Sequence, residues 1–396
     1  MPQPLRAALV LLVLAPSARA QEIGEEEFVG VFGAEHAASR SLEEGLARAE
    51  AARRRAGVLA NPRVDIWQER PEGSPRVTNW TLAWTPPFDG RLGLSRRAAD
   101  ARVRTARERL AADTARLRSE VRRVFAAWSL ALEREALARR QHDRVRALAS
   151  RERERERIGE GSGLSARRLG LAEGEARAAA GEAEAERARA EAMARAWRPD
   201  LPSAARPARV FLPELPPDLN GQDPPEVRAL RFEAEEARLR ERLGRRFWAF
   251  PELQLGWQSL RHGGVGQGGP ILAGSWSVPL LDRAQAARVE TARQRDIAEA
   301  RLALAAAHVK AEIEGRQAAY AALLSAARET EQAPAEADRV VEAAAAVFQA
   351  GESTLTDLLE TLRSASEARV RGLELRSRAH EAHRELEAAV GRPLSP

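Results

Sequence analysis

The chain has 396 residues, 31% of them charged, with a formal net charge of +5 and no cysteine, which excludes disulfides, a lipid anchor and thiol chemistry. The positive charge comes from arginines interleaved with glutamates, as on solvated helix faces with i,i+4 pairs, and not from a basic block, so no nucleic-acid binding is expected. Ala, Arg, Glu and Leu dominate, the composition of long helices.

In chain order, Arg6 precedes an apolar stretch from Ala7 to Ala15, and Ala18-Arg19-Ala20 offers a small-x-small cleavage site. Residues 1–20 therefore read as a secretory signal peptide, with the mature chain beginning at Gln21. No later segment reaches the ~20 apolar residues of a spanning helix. A Ser41-x-x-Glu44 capping box is expected to open a single helix before Asn61. Val64 and Ile66, then Trp80, Leu82 and Trp84, alternate with polar or small residues, and Pro71-Glu72-Gly73-Ser74-Pro75 supplies a turn, predicting a strand hairpin over about 62–86.

From Phe88 to Arg198 there are 111 residues without proline, whereas eight prolines fall between Pro199 and Pro225. The first stretch is helical country. Leu110, Leu117, Val121, Phe125, Trp128 and Leu132 mark a coiled-coil-like seam there, and helices are predicted over about 91–157 and 163–198. The Pro-rich segment 199–225 reads as a linker. Beyond it Leu253, Leu255 and Trp257 alternate, as do Leu272, Gly274, Trp276 and Val278, with Gly263 to Gly269 as an exposed loop between. This predicts a second hairpin over about 251–279, followed by helices over about 283–349 and 354–390, where Pro334 should kink or break the first.

The chain also repeats. Trp84-Thr85-Pro86-Pro87 returns as Trp276-Ser277-Val278-Pro279, and Gly159-Glu160 as Gly351-Glu352, each 192 residues later. The expected organisation is a first repeat at 21–198, the linker, a second repeat at 226–391 and a tail at 392–396. Five tryptophans, Trp67, Trp80, Trp84, Trp257 and Trp276, are placed in strands, where indole suits a bilayer interface or the packing of a soluble sheet. Strands with one apolar and one small-polar face suit a transmembrane barrel. Four strands cannot close one, and open edges cannot sit in lipid, so closure requires several copies.

These residues together resemble the TolC family of outer-membrane efflux channels over about Ser41 to Gly391. The pieces are Ala56-Gly57-Val58-Leu59-Ala60-Asn61-Pro62 before the first strand, Trp84 to Gly90 after the second, Ala350 to Glu360 between the last long helices, and Glu385 to Gly391 at the end. The resemblance implies a mainly α fold with a small β part. Long helices would form a trimeric α-barrel, and each protomer of a homotrimer would give four strands to a shared 12-stranded barrel in the outer membrane of a Gram-negative cell. The partners implied are outer-membrane lipid, a periplasmic adaptor and an inner-membrane pump of the resistance-nodulation-division type. The compact first hairpin looks most like the heavy-metal cation efflux branch.

By the same resemblance the turns at Gly159, Glu160, Gly161 and Ser162 and at Gly351, Glu352, Ser353, Thr354 and Leu355 dock the adaptor. Glycine reversals and Ser or Thr caps explain them equally as plain turns. Asp357 and Glu360 lie three apart on one helical face. The resemblance makes them an acidic ring at the periplasmic entrance that gates and binds cations; a solvated helix face is the alternative. No enzyme, cofactor or resident metal is expected. His380 and His383 read as surface residues, and Gly263 to Gly269 lacks the ending of a phosphate loop. A periplasmic adaptor, or an envelope coiled-coil scaffold without a channel, remains the alternative function.

Overall fold

The computed structural model describes residues 21–30, 37–70, 72, 74, 76–215, 219, 223–246, 250–262, 265–278, 281 and 283–394. The signal peptide expected at 1–20 lies outside them, as do parts of the 71–75 turn and of the linker. Among the described residues, no helix is long and apolar enough to cross a membrane. The chain forms two compact units.

The first unit draws on the N-terminal segment to Val31 and on Glu120–Pro213 and Tyr320–Arg384. It contains β1 (Glu22–Ile23), α1 (Glu25–Gly30), the later part of α3 (Arg91–Arg157), α4 (Gly163–Trp197) and β4 (Arg206–Pro207). To these it adds α7 (Ala333–Gln349) and most of α8 (Leu355–Val390). The predicted seam on α3 is buried where it enters this unit: Val121, Phe125 and Trp128 are 0–2% exposed, worth about 2 kcal/mol or more each in removed apolar area. Phe28 of α1 packs on Phe125 at 5.4 Å between ring centroids. Arg198 holds α1 in place by donating to the carbonyls of Glu27 and Phe28 at 3.0 and 3.1 Å. The start of the Pro-rich segment is therefore docked: β4 pairs in parallel with β1, and Leu201, Ala205 and Val210 are buried.

The second unit holds α2 (Ala37–Ala56), the start of α3, α5 (Pro225–Gly244), α6 (Gln285–Glu329) up to Ala319, the end of α8, and a four-stranded sheet. The sheet runs β2 (Arg63–Glu69), β3 (Arg76–Trp84), β5 (Glu252–His262) and β6 (Val265–Ser275), with every neighbouring pair antiparallel. Both hairpin turns sit at one end of the sheet. The helices join at the other. An ion-pair ladder ties α3 to α5: Arg104–Glu235 at 2.8 Å, with Arg109–Glu233 and Arg116–Glu226 at 2.7 Å. These pairs are exposed, so each adds at most about 1 kcal/mol.

Helix ends in the two halves of the chain recur at one spacing. Helix α3 ends at Arg157 and α7 at Gln349; α4 starts at Gly163 and α8 at Leu355, the same 192-residue spacing. At 67 residues α3 is ~100 Å long. Its counterpart in the second half is not one helix: α6 stops at Glu329 and α7 starts at Ala333, with Pro334 in its first turn, where a missing amide costs nothing.

Two expectations are corrected here. The described helix before Asn61 runs Ala37–Ala56, so Ser41 lies inside it and not at its start, and α1 precedes it. Of the loop expected from Gly263 to Gly269, residues 263–264 lie outside the described residues and 265–269 are strand: Gly266, Gly268 and Gly269 pair with Arg261, Ser259 and Gln258. Glycine's weak strand preference is overridden there by the β5 ladder. At Gly256 the reason for glycine is contact, since a Cβ there would strike the Trp80 carbonyl oxygen and the Thr81 methyl.

Candidate functional site

Two features stand out, one in each unit. In the second unit, strand register gathers the alternating apolar residues into rows on one face of the sheet. Val64, Leu82, Leu255 and Leu272 stand opposite one another across all four strands, and Ile66, Trp80 and Trp257 form the next row. Trp84 and Leu253 form a row nearer the helices. These side chains face out: Leu255 is 58% exposed, Leu272 79%, and Trp80 and Trp257 53% each. An apolar face of this extent needs lipid or protein against it. The opposite face carries Arg63, Asp65, Asn79, Thr81, Gln254 and Gln258.

Trp67 belongs to that polar face, in register with Asn79 and Gln258, because it is an odd number of residues from Ile66. Of the five tryptophans expected from sequence as membrane-interface aromatics, it is the one on the polar parity of the strands. Strict two-residue alternation would have placed it correctly. Trp276 lies one residue beyond β6, on the apolar parity.

In the first unit the two Gly-Glu turns have the same construction. Gly159 and Gly351 adopt φ of 82° and 79°, a left-handed conformation that favours glycine. The Glu160 amide returns to the Arg155 carbonyl at 2.9 Å, and the Glu352 amide to the Val347 carbonyl at 3.1 Å. Both are Schellman closures. Ser162 then caps α4 through the Leu164 amide, and Thr354 occupies the matching place before α8.

Asp357 completes a reciprocal cap. Its carboxylate accepts from the Thr354 amide at 3.1 Å and from the Thr354 hydroxyl at 2.7 Å, while the Asp357 amide donates to Thr354 Oγ1 at 3.2 Å. The Thr354 hydroxyl, and then its amide, hold the Asp357 carboxyl below the usual carboxylate range. Asp357 and Glu360 are exposed on the side of α8 away from Leu355, Leu358 and Leu362, which are buried. Leu355, grouped with the docking residues from sequence, is only 9% exposed and packs in the core with Val145 and Leu169. The residues flanking the Gly159 turn are the surprise: Ile158 and Leu164 are 53% and 62% exposed. Their flanking position at a helix end was the signal available in sequence.

Behind this turn region Asp338 of α7 pairs with Arg144 of α3 and, at 2.5 Å, with Arg369 of α8. Arg369 also donates to Gln141 Oε1 at 3.2 Å and is buried. Burial pulls the Asp338 carboxyl up, but the two arginines outweigh it and hold it below its usual range. Three helices are clamped by one carboxylate.

His380 and His383 are not surface residues; they are 2% and 0% exposed. The Tyr320 ring lies 5.0 Å from that of His383. Among the described residues no three His, Cys, Asp or Glu side chains form a group that could hold a metal.

Comparison with solved structures finds CusC, described by its transmembrane channel formation, at TM-score 0.76 and 15% identity over 93% of this chain and 92% of that one. The outer membrane protein VceC from Vibrio cholerae gives 0.75 and 16%, over 94% and 97%. The CmeC outer membrane channel of Campylobacter jejuni gives 0.74 and 12%, over 93% and 85%. No family model and no curated protein matches the sequence. At these identities the shared property is the fold, and the fold of this chain is the TolC-like fold of the outer-membrane channels.

Proposed function

We propose that this chain is a TolC-family outer-membrane channel, a homotrimer that passively conducts solutes handed over by a periplasmic adaptor and an inner-membrane pump. The observation that carries this reading is the sheet. Its apolar rows face outward, its polar face suits a water-filled lumen, and its two outer strands, β2 and β6, each have a free edge. Backbone groups at a free edge cannot be left in lipid, so only further copies of the chain can close it.

In this reading the two repeats each supply a hairpin and a pair of long helices. Residues 1–20 are cleaved as a signal peptide; the Gln21 carbonyl already accepts from Arg206, which suits a chain that starts there. The Gly159 and Gly351 turns dock the adaptor, with Ile158 and Leu164 as apolar contacts. Asp357 and Glu360, repeated about the three-fold axis, form the acidic entrance. A pump of the resistance-nodulation-division type and heavy-metal cations as cargo follow from the resemblance of the first hairpin.

The test is fractionation of the producing cell, followed by sizing and heat-modifiability of the detergent-extracted protein. An outer-membrane trimer that shifts on heating is expected. A soluble periplasmic monomer would overturn the channel. For the cargo, loss of the protein should sensitise cells to divalent metal cations more than to dyes or detergents.

A further inference from the structure

Beyond its tryptophans, the apolar face of the sheet changes character toward the hairpin turns. The next row is neutral and polar, Gln68, Thr78, Ser259 and Gly268. The last is cationic: Arg76 of β3 stands directly opposite Arg261 of β5. Arg70, one residue past the end of β2, shares this end and this parity. All three arginines are exposed. The acids of the four strands, Asp65, Glu69 and Glu252, have the opposite parity and lie on the polar face. Among the described residues no carboxylate pairs with any of the three arginines.

Two like charges directly opposed across an antiparallel pair repel. A sheet that places them so, with every acid on the other face, is complementary to an anion that bridges them. Guanidinium forks take phosphate in bidentate fashion. Position decides which phosphate. The eight steps from Trp84 to Arg76 span about 27 Å along the strand, or about 20 Å along the bilayer normal at the ~40° tilt of barrel strands. That is close to the ~25 Å apolar band of such barrels. The sequence of rows, apolar, indole, neutral polar, arginine, follows the order of hydrocarbon, interface and headgroup.

We infer that Arg76 and Arg261, with Arg70 beside them, bind the phosphate groups of an anionic lipid headgroup in the leaflet at the hairpin end of the barrel. This rests on the channel reading.

The test uses the full-length protein in neutral detergent, weighed by native mass spectrometry after incubation with diphosphorylated lipid A or with the same lipid lacking its phosphates. Wild type should retain the phosphorylated lipid preferentially. The double variant Arg76→Gln, Arg261→Gln should lose about ten-fold or more of that retention, and Arg76→Lys, Arg261→Lys, which keeps charge without the fork, should fall between. The lysine pair decides the matter if the glutamine pair does not assemble. Retention that is indifferent to phosphorylation, or equal in wild type and variants, overturns the inference while a heat-modifiable trimer leaves the channel intact. Displacement by equimolar inorganic phosphate would assign the site to the free ion and overturn it as a lipid site. Absence of any trimer would remove both.

Discussion

The clamp at Asp338 lends itself to a decisive perturbation. Substituting Asp338→Ala leaves Arg144 with Glu342, 3.9 Å away, and Arg369, whose side chain is 6% exposed, with Gln141. Breaking a fully buried ion pair from one side costs about 3–5 kcal/mol, because the remaining charge stays desolvated. Asp338 is itself 43% exposed, so water reaches the pair and the figure falls to about 2 kcal/mol. Only α7 need come away, since it is a separate helix bounded by the break after Glu329 and the turn at Gly351. Local opening should therefore rise about 30-fold, read as faster amide exchange across Ala333–Gln349 in the detergent-extracted protein. Arg369→Met, which removes the charge but fills the space, should stay within about three-fold of wild type, and the double variant should follow it. Equal acceleration by Asp338→Ala and Arg369→Met would refute the electrostatic account in favour of simple packing. The carboxyl is held below its usual range, so its contribution is present at and above the ordinary aspartate range. It is lost only as pH falls through the depressed value. Exchange across α7 should accordingly be insensitive to pH-linked destabilisation near neutrality.

Asp357→Ala removes a cap as well as a charge, whereas Glu360→Ala removes a charge alone; the first should raise exchange in the opening turn of α8 roughly five-fold and the second should not. If both acids form the entrance, both variants should raise single-channel conductance and weaken cation block in planar bilayers, and unchanged conductance in both would remove them from the gate. Gly159→Ala and Gly351→Ala meet no neighbouring atom, so each should cost only the left-handed backbone strain of about 1 kcal/mol, seen as a lowered melting temperature. Burial, then Arg384 and Arg376, depress the His380 pKa to about 3. An imidazole that protonates near 6.5 when unfolded but not when folded stabilises fully above pH ~6.5 and loses about 1.4 kcal/mol per unit below it. His380→Leu should flatten that part of the melting-temperature curve between pH 6.5 and pH 4, and an unchanged slope would assign it elsewhere.

The long helices and their ends were legible in sequence because the determinants are local. Proline is excluded from 88–198, a glycine stands at each reversal, and Ser162 sits where a cap is needed. The two hairpins were legible for the same reason, since alternation is a property of successive residues. Even Trp67 was readable, being an odd step from Ile66, and Thr354-x-x-Asp357 is a cap pattern that competed with a more specific role. What tertiary structure alone decided depends on residues far apart in the chain. Gly266 to Gly269 become strand because β5 supplies hydrogen-bond partners, not because glycine favours extension. His380, His383 and Arg369 are buried because other helices cover faces that look like every other charged face of this chain. The sequence by itself determined the long helices and most of the strands, because those choices are settled within a few residues. The register that lines up the apolar rows and brings Arg76 opposite Arg261 joins residues 185 positions apart, and only the fold could choose it.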